Sequence, residues 1–340
     1  MRRTTALFTL LAMAALPAPA LAAENVATPA VPVPVPAQPP VPAPVPAAPP
    51  AQNPLTLKLE RVGGTRATAL KGSPVRVRGT LGAFVPGETV TVRFSSNGRK
   101  VFAKKVAIQA GPAGIGRFLF TYKPTHVGRL VVRAVHDATP ALGALDAVGH
   151  SIDVLPRRVG PSSGKASVRA LQRRLKGLGY VVGAPSAFDG RTQRAVLAFR
   201  KVAGMPRTTQ ASSTVMRAIA RGAGVFKIRQ PTHGRHIEAD LSRQVIALVD
   251  RGRVVRIYPI SSGKPSTPTV QGSFHVYSKT PGTNAKGMFY SAYFVGGYAT
   301  HGYPSVPVFA ASHGCLRVPI PDAISLYNWI KIGTPVDVYP

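Results

Sequence analysis

Acidic residues are scarce in this 340-residue sequence: 12 Asp and Glu stand against 43 Lys and Arg, a formal charge of +31 at neutral pH. Such a balance points to a polyanionic counterpart, or serves solubility alone. The basic residues are spread over every segment that reads as folded. No helix-turn-helix, zinc-finger or RNA-binding signature accompanies them, so nucleic acid is not an expected partner. Long apolar runs are also missing. The longest, Ala6 to Leu16, falls short of the ~20 residues that span a bilayer, so no transmembrane segment is expected in the mature chain. Cysteine occurs once, as Cys315. A lone Cys excludes an internal disulfide and leaves the thiol buried and inert, paired with another molecule, or reactive.

What is present divides the chain into five stretches. Arg2 and Arg3, the apolar run and Ala20-Leu21-Ala22 read as a secretory signal peptide over residues 1–22. The expected location is therefore outside the cytoplasm, in the periplasm or cell wall. There the carboxylates and phosphates of an envelope would be the anionic polymers that the charge suits. Residues 23–54 are rich in Pro, Ala and Val, as in Val31-Pro32-Val33-Pro34. They read as an extended polyproline spacer of about 3.1 Å per residue. From 55 to 155 the pattern has period two, as at Val75 and Val77, at Val90, Val92 and Phe94, and at Phe118, Phe120 and Tyr122. Turn residues such as Pro86-Gly87 and Asn97-Gly98 intervene, and six or seven short strands of this kind predict an immunoglobulin-like β-sandwich.

Residues 164–222 change to helical period. Val168, Leu171, Leu175 and Leu178 share a face that ends at Gly179; a second helix is expected from about Thr192 and a third over Ser213 to Ile219. Together they predict a small three-helix bundle. Residues 225–340 return to strands, with one late helix from Asp322 carrying Ile324, Tyr327 and Ile330, and a closing strand at Val336-Asp337-Val338. The fold class expected for the whole is thus multidomain and mainly β.

The chemistry concentrates at His301-Gly302 and Ser312-His313-Gly314-Cys315-Leu316-Arg317. A thiol is a good nucleophile at neutral pH when a base or a nearby positive charge favours the thiolate. Two histidines and an arginine lie close in sequence to Cys315. Gly314 tolerates a strained turn and lets backbone N–H groups converge on a developing oxyanion. A zinc site built from His301, His313, Cys315 and His275 is the rival chemistry, but its spacing fits none of the common zinc patterns. His233, His236 and His275 receive no role, and Trp329 reads as core packing.

Two stretches resemble known families. Val168-Arg169-Ala170-Leu171-Gln172, Leu178-Gly179-Tyr180, Phe188-Asp189-Gly190 and Thr192 through Phe199 resemble the three-helix peptidoglycan-binding domain. The His301-Gly302 and Ser312-to-Arg317 motifs resemble the L,D-transpeptidase catalytic domain, together with Ile260-Ser261-Ser262-Gly263, Ser266-Thr267-Pro268-Thr269, Gly272-Ser273-Phe274 and Gly333-Thr334-Pro335-Val336. Many members have Pro-Thr-Gly where this chain has Pro268-Thr269-Val270-Gln271-Gly272. The resemblance implies Cys315 as nucleophile and His301 as general base. It implies His313 as a site-ordering residue, Gly314 and Cys315 as oxyanion-hole amides, Arg317 as a partner for a substrate carboxylate, and Ser312 as a loop-fixing hydroxyl. It further implies peptidoglycan stem peptides and glycan as partners, a thioester intermediate, and no metal or other cofactor. Two alternatives stay open: an L,D-carboxypeptidase in which water takes the acyl group, and a non-catalytic wall-binding protein. On either reading the helical stretch is expected to bind wall material independently of catalysis.

Overall fold

Alternating Val, Leu and Phe residues separated by turns become strands in the computed structural model, which describes residues 55–63, 67–82, 84–147 and 149–340. The signal-peptide expectation (1–22) and the proline-rich one (23–54) both lie wholly outside these residues. The first strands are β1 (Thr56–Glu60), β2 (Thr68–Leu70), β3 (Val75–Leu81), β4 (Thr89–Ser96) and β5 (Arg99–Ala107). They are followed by β6 (Gln109–Ala110), β7 (Gly116–Tyr122), β8 (Gly128–His136), β9 (Leu145–Asp146) and β10 (His150–Leu155). One sheet runs β1-β3-β7-β6; the other runs β2-β10-β8-β4-β5, with β9 on β8. Val75, Val77, Val90, Val92, Phe94, Phe118, Val132 and Ile152 form the core that the two sheets share. Asn97 and Gly98 both take positive φ and turn β4 into β5. β5 was not anticipated: it is an edge strand, largely exposed, and its Lys100, Lys104 and Lys105 mask the alternation while guarding the edge.

Three helices follow: α1 (Lys165–Gly177), α2 (Gly190–Val202) and α3 (Ser213–Ala220). α1 buries Val168, Leu171 and Leu175 and ends where Gly179 turns to φ +93°. α2 starts two residues earlier than Thr192, because the Asp189 carboxylate caps it by accepting the Thr192 N–H at 2.8 Å. These helices do not enclose a core of their own. Leu171, Leu175, Val196, Phe199, Val215 and Ile219 pack in one cluster with Leu155 of β10 and with Val245, Ala247 and Ile257 from the next segment.

That segment contains β11 (His236–Asp240), β12 (Val245–Asp250), β13 (Arg253–Pro259), β14 (Gly272–His275), β15 (Ser278–Thr283) and β16 (Phe289–Val295). It continues with β17 (Tyr298–Tyr303), β18 (Leu316–Pro319), α4 (Ile320–Trp329) and β19 (Pro335–Tyr339). A five-stranded sheet runs β13-β12-β11-β19-β14 and a four-stranded sheet β15-β16-β17-β18. β15 and β18 escape a periodicity reading, since Pro281 and Gly282 interrupt one within a register shift and the other is four residues long. α4 begins at Ile320, with Pro321 in its first turn, and not at Asp322. Its buried face is also different: Asp322, Ala323 and Leu326 point inward, whereas Ile324 is 44% exposed. Trp329 is partly buried against the core, with the Arg235 guanidinium 4.2 Å from its ring. Among the described residues no helix is long and apolar enough to cross a membrane.

Candidate active site

The two halves of the sequence motif meet because β17 and β18 pair in parallel, with Thr300 opposite Leu316 and His301 opposite Arg317. Side chains alternate along each strand, so His301 and Arg317 face one side of the pair and Cys315, two residues before Arg317, joins them. His301, Cys315, Arg317, Ser312 and His313 all line one cavity of about 610 Å³. Asn284, Lys286, Tyr293 and Tyr303 also line it. No motif marks these four, which come from the β15–β16 turn and the strands around it. His313 is exposed at the rim, and His275 lies on β14 in the other sheet, opposite Pro335. No three His, Cys, Asp or Glu side chains among the described residues are placed to hold a metal ion.

His301 is 2% exposed, and its Nδ1 lies 2.9 Å from the carbonyl oxygen of Gly302. A carbonyl only accepts, so Nδ1 carries the proton and Nε2 of the neutral ring keeps its lone pair. Burial pulls the His301 pKa below its ordinary value and the Arg317 charge acts the same way, against the Gly302 hydrogen bond. Burial pushes the Cys315 thiol up, opposed by the Ala299 N–H, Arg317 and Lys286. Both dominant effects favour the uncharged forms, so the site rests as thiol and neutral imidazole and not as a preformed ion pair. Cys315 Sγ lies 3.7 Å from the carbonyl oxygen of Gly297.

The loop before Cys315 is held at nearly every position. The Ser312 hydroxyl donates to the Cys315 carbonyl at 2.6 Å and accepts the Gly314 N–H at 3.0 Å. The Ser312 hydroxyl thus bridges two points of its own loop, and the Gly314 amide, expected to face an oxyanion, is already engaged. The Thr269 hydroxyl donates to the Gly314 carbonyl at 2.7 Å and accepts the Gly263 N–H at 2.9 Å. Thr267 and the Lys264 N–H both donate to the Ser312 carbonyl. Gly314 itself is required sterically: φ is +114°, and a Cβ there would lie 2.1 Å from Cε1 of Tyr298. Arg317 stacks its guanidinium 4.1 Å from the centre of the Tyr303 ring, which fixes its charge at the cavity wall.

Comparison with known proteins bears on this geometry. The family of the L,D-transpeptidase catalytic domain matches residues 234–338, a span that holds both His301 and Cys315. A peptidoglycan binding domain family matches residues 164–219. YkuD of Bacillus licheniformis, which bears the L,D-transpeptidase name, is 34% identical over 120 residues, covering 33% of this chain and 71% of that protein. L,D-transpeptidase 1 of Mycobacterium tuberculosis is 28% identical over 121 residues, 29% of this chain and 48% of its own. Among solved structures, the L,D-transpeptidase of Xylanimonas cellulosilytica is 33% identical, with a TM-score of 0.49 over 54% of this chain and 98% of that one. With most of the Bacillus relative aligned at this identity, and the matched catalytic span enclosing the paired strands that bring His301 and Cys315 to one cavity, the chain belongs to the L,D-transpeptidase family.

Proposed function

We propose that this enzyme is exported and cross-links or remodels peptidoglycan through a Cys315 thioester. His301 Nε2 takes the thiol proton as Sγ attacks the carbonyl of the third residue of a tetrapeptide stem. The tetrahedral oxyanion would be met by the Cys315 N–H, the donor of the expected pair not spent on Ser312. Collapse breaks the peptide bond, and His301 returns the proton to the departing D-Ala amine. In the second half an amine from another stem attacks the thioester, His301 accepts its proton, and the thiol is regenerated. Bond energy is retained in the thioester, so the cycle needs no ATP. Arg317, Lys286 and His313 at the cavity rim suit the carboxylates of a stem peptide. The observation that carries this reading is the fixed Nδ1–H tautomer of His301, which leaves a basic nitrogen in the cavity that Cys315 also lines.

On this reading residues 1–22 direct export and 23–54 are a spacer. Residues 55–155 form an immunoglobulin-like sandwich, 164–222 bind the wall, and 225–340 catalyse. The cationic outer face of the sandwich, where Arg93 lies directly opposite Arg133 and Thr91 opposite Lys105, suits anionic wall polymers. Purified chain incubated with tetrapeptide-bearing wall fragments should yield joined stems with loss of D-Ala, seen by mass spectrometry, and Cys315→Ala should yield none. Release of D-Ala without joined stems would make water the acceptor and the enzyme an L,D-carboxypeptidase. No change in the fragments would defeat both.

A further inference from the structure

Lysine is among the residues least often found in a protein interior, yet Lys201 in the last turn of α2 is 3% exposed. Its ammonium donates to the carbonyl of Gln244 at 3.0 Å and to that of Ile260 at 2.9 Å. Neither acceptor belongs to the helical segment. Gln244 immediately precedes β12 and Ile260 immediately follows β13; the Ile260 N–H already donates to the Gln244 carbonyl at 3.0 Å, and Lys201 ties that closed end of the hairpin to α2. The placement is costly: burial, followed by the Arg207 charge, lowers the Lys201 pKa to about 7. A well-packed apolar side chain would avoid that cost, which raises the question of what the charge is retained for.

The hydrogen bonds run on from there toward the nucleophile. The side chain of Gln244 grips Ser262 twice: its Oε1 accepts the Ser262 N–H at 2.9 Å, and its Nε2 donates to Ser262 Oγ at 2.6 Å. The Ser262 carbonyl accepts the Ser312 N–H at 2.8 Å. The Ser312 hydroxyl in turn donates to the Cys315 carbonyl. Gln244, Ser262 and Ser312 are all buried, so water does not compete for these bonds.

We propose that Lys201 is a positioning residue for acyl transfer, through which the helical segment fixes the placement of the Cys315 loop. This rests on the reading of Cys315 as nucleophile. The group acts at a distance, by holding Gln244 and Ile260 and so the segment that clamps residues 311–317. It does not touch substrate. Its loss should therefore affect the rate of bond formation more than the capture of the reagent.

The test is acylation of the full chain by a carbapenem, followed over a range of concentrations to separate the limiting first-order rate from the half-saturating concentration. Lys201→Met preserves length and removes the charge and the donors. The limiting rate should fall on the order of tenfold, because small displacements of a nucleophile are expensive. The half-saturating concentration should stay within about twofold, and the melting temperature should fall modestly, because the Gln244 and Ile260 carbonyls lose the ammonium donor. A purely structural lysine would change the melting temperature and leave the limiting rate of the folded protein at its wild-type value, and that result overturns the proposal. Should Lys201→Met fail to fold, Lys201→Gln carries the test, since it removes the charge and is too short to hold both carbonyls. The same fall in limiting rate is expected there, and a wild-type rate overturns the proposal. If the unmodified chain gains no adduct on Cys315, the nucleophile reading itself falls, and the inference with it.

Discussion

A neutral imidazole beside a neutral thiol needs a base that works during attack, and this gives His301 a recognisable pH signature. Its folded pKa lies below the ordinary 6.5, so wild-type acylation should rise with pH along a limb centred below that value and then level off. His301→Ala should lose on the order of 10²-fold at neutral pH. The variant should recover only at alkaline pH, where the thiol ionises unaided, because burial holds Cys315 above its ordinary 9.0. His313→Ala, at an exposed rim position, should lose less and show no such recovery. Acylation rate against pH for both variants decides the matter, and recovery confined to His313→Ala would exchange their roles. That His301, His313 and Cys315 would share one cavity was legible, because two short motifs carry them and β17 and β18 pair to bring those motifs together. What surrounds them was not. Tyr298 forces glycine at position 314, and Ser312 consumes the Gly314 amide, through contacts that neither periodicity nor motif spacing reports.

Elements show the same division between pattern and partner. The core strands of the first segment, though not its lysine-rich edge strand β5, follow from alternation, and α1 to α3 from helical period with caps at Asp189 and Ser212. α4 does not, since its apolar residues suggest a face through Ile324 and Tyr327, while the buried face runs through Asp322, Ala323 and Leu326. The reason is a charge pairing between distant segments. Asp322 is 2% exposed and accepts Arg191 Nε at 2.7 Å and Arg194 Nε at 2.9 Å from α2. These bonds turn the start of α4 toward the helical segment and press Ala323 against Gly302, beside His301; a Cβ on Gly302 would lie 2.7 Å from that of Ala323. Asp322→Ala should therefore cost about 2 kcal/mol, the scale of charge-assisted hydrogen bonds whose arginines stay partly hydrated. Urea denaturation of the two proteins measures it. A difference below about 0.5 kcal/mol would mean that the two arginines are fully satisfied by water.

Composition and period mark out the stretches of the chain, but they present them as separable modules, and the packing argues otherwise. Every residue of α2 from Ala195 to Val202 is buried, including Arg200 and Lys201, whose charges make that face read as solvated in sequence. A helix buried all round must be covered on every side. Here the covering comes from α1 and α3 and from Val245, Ala247 and Ile257 of the five-stranded sheet, while the backbone of Ile257 bonds Gly179 at 2.8 Å. The helical stretch therefore supports the five-stranded sheet mechanically, whatever it binds, and the independence expected from sequence does not extend to folding. Removing 164–222 would expose the apolar side of β12 and β13 and strip Gln244 and Ile260 of the Lys201 ammonium. The single tryptophan, Trp329 on α4, makes this measurable, because its fluorescence reports the catalytic segment while far-ultraviolet circular dichroism is dominated by the helices. In the full chain the two signals should melt together, as expected of one cooperative unit. The fragment 225–340 should melt at a lower temperature by its tryptophan signal and acylate more slowly. Two separate transitions in the full chain, with the fragment melting at the temperature of the later one, would show that the segments fold as independent modules after all.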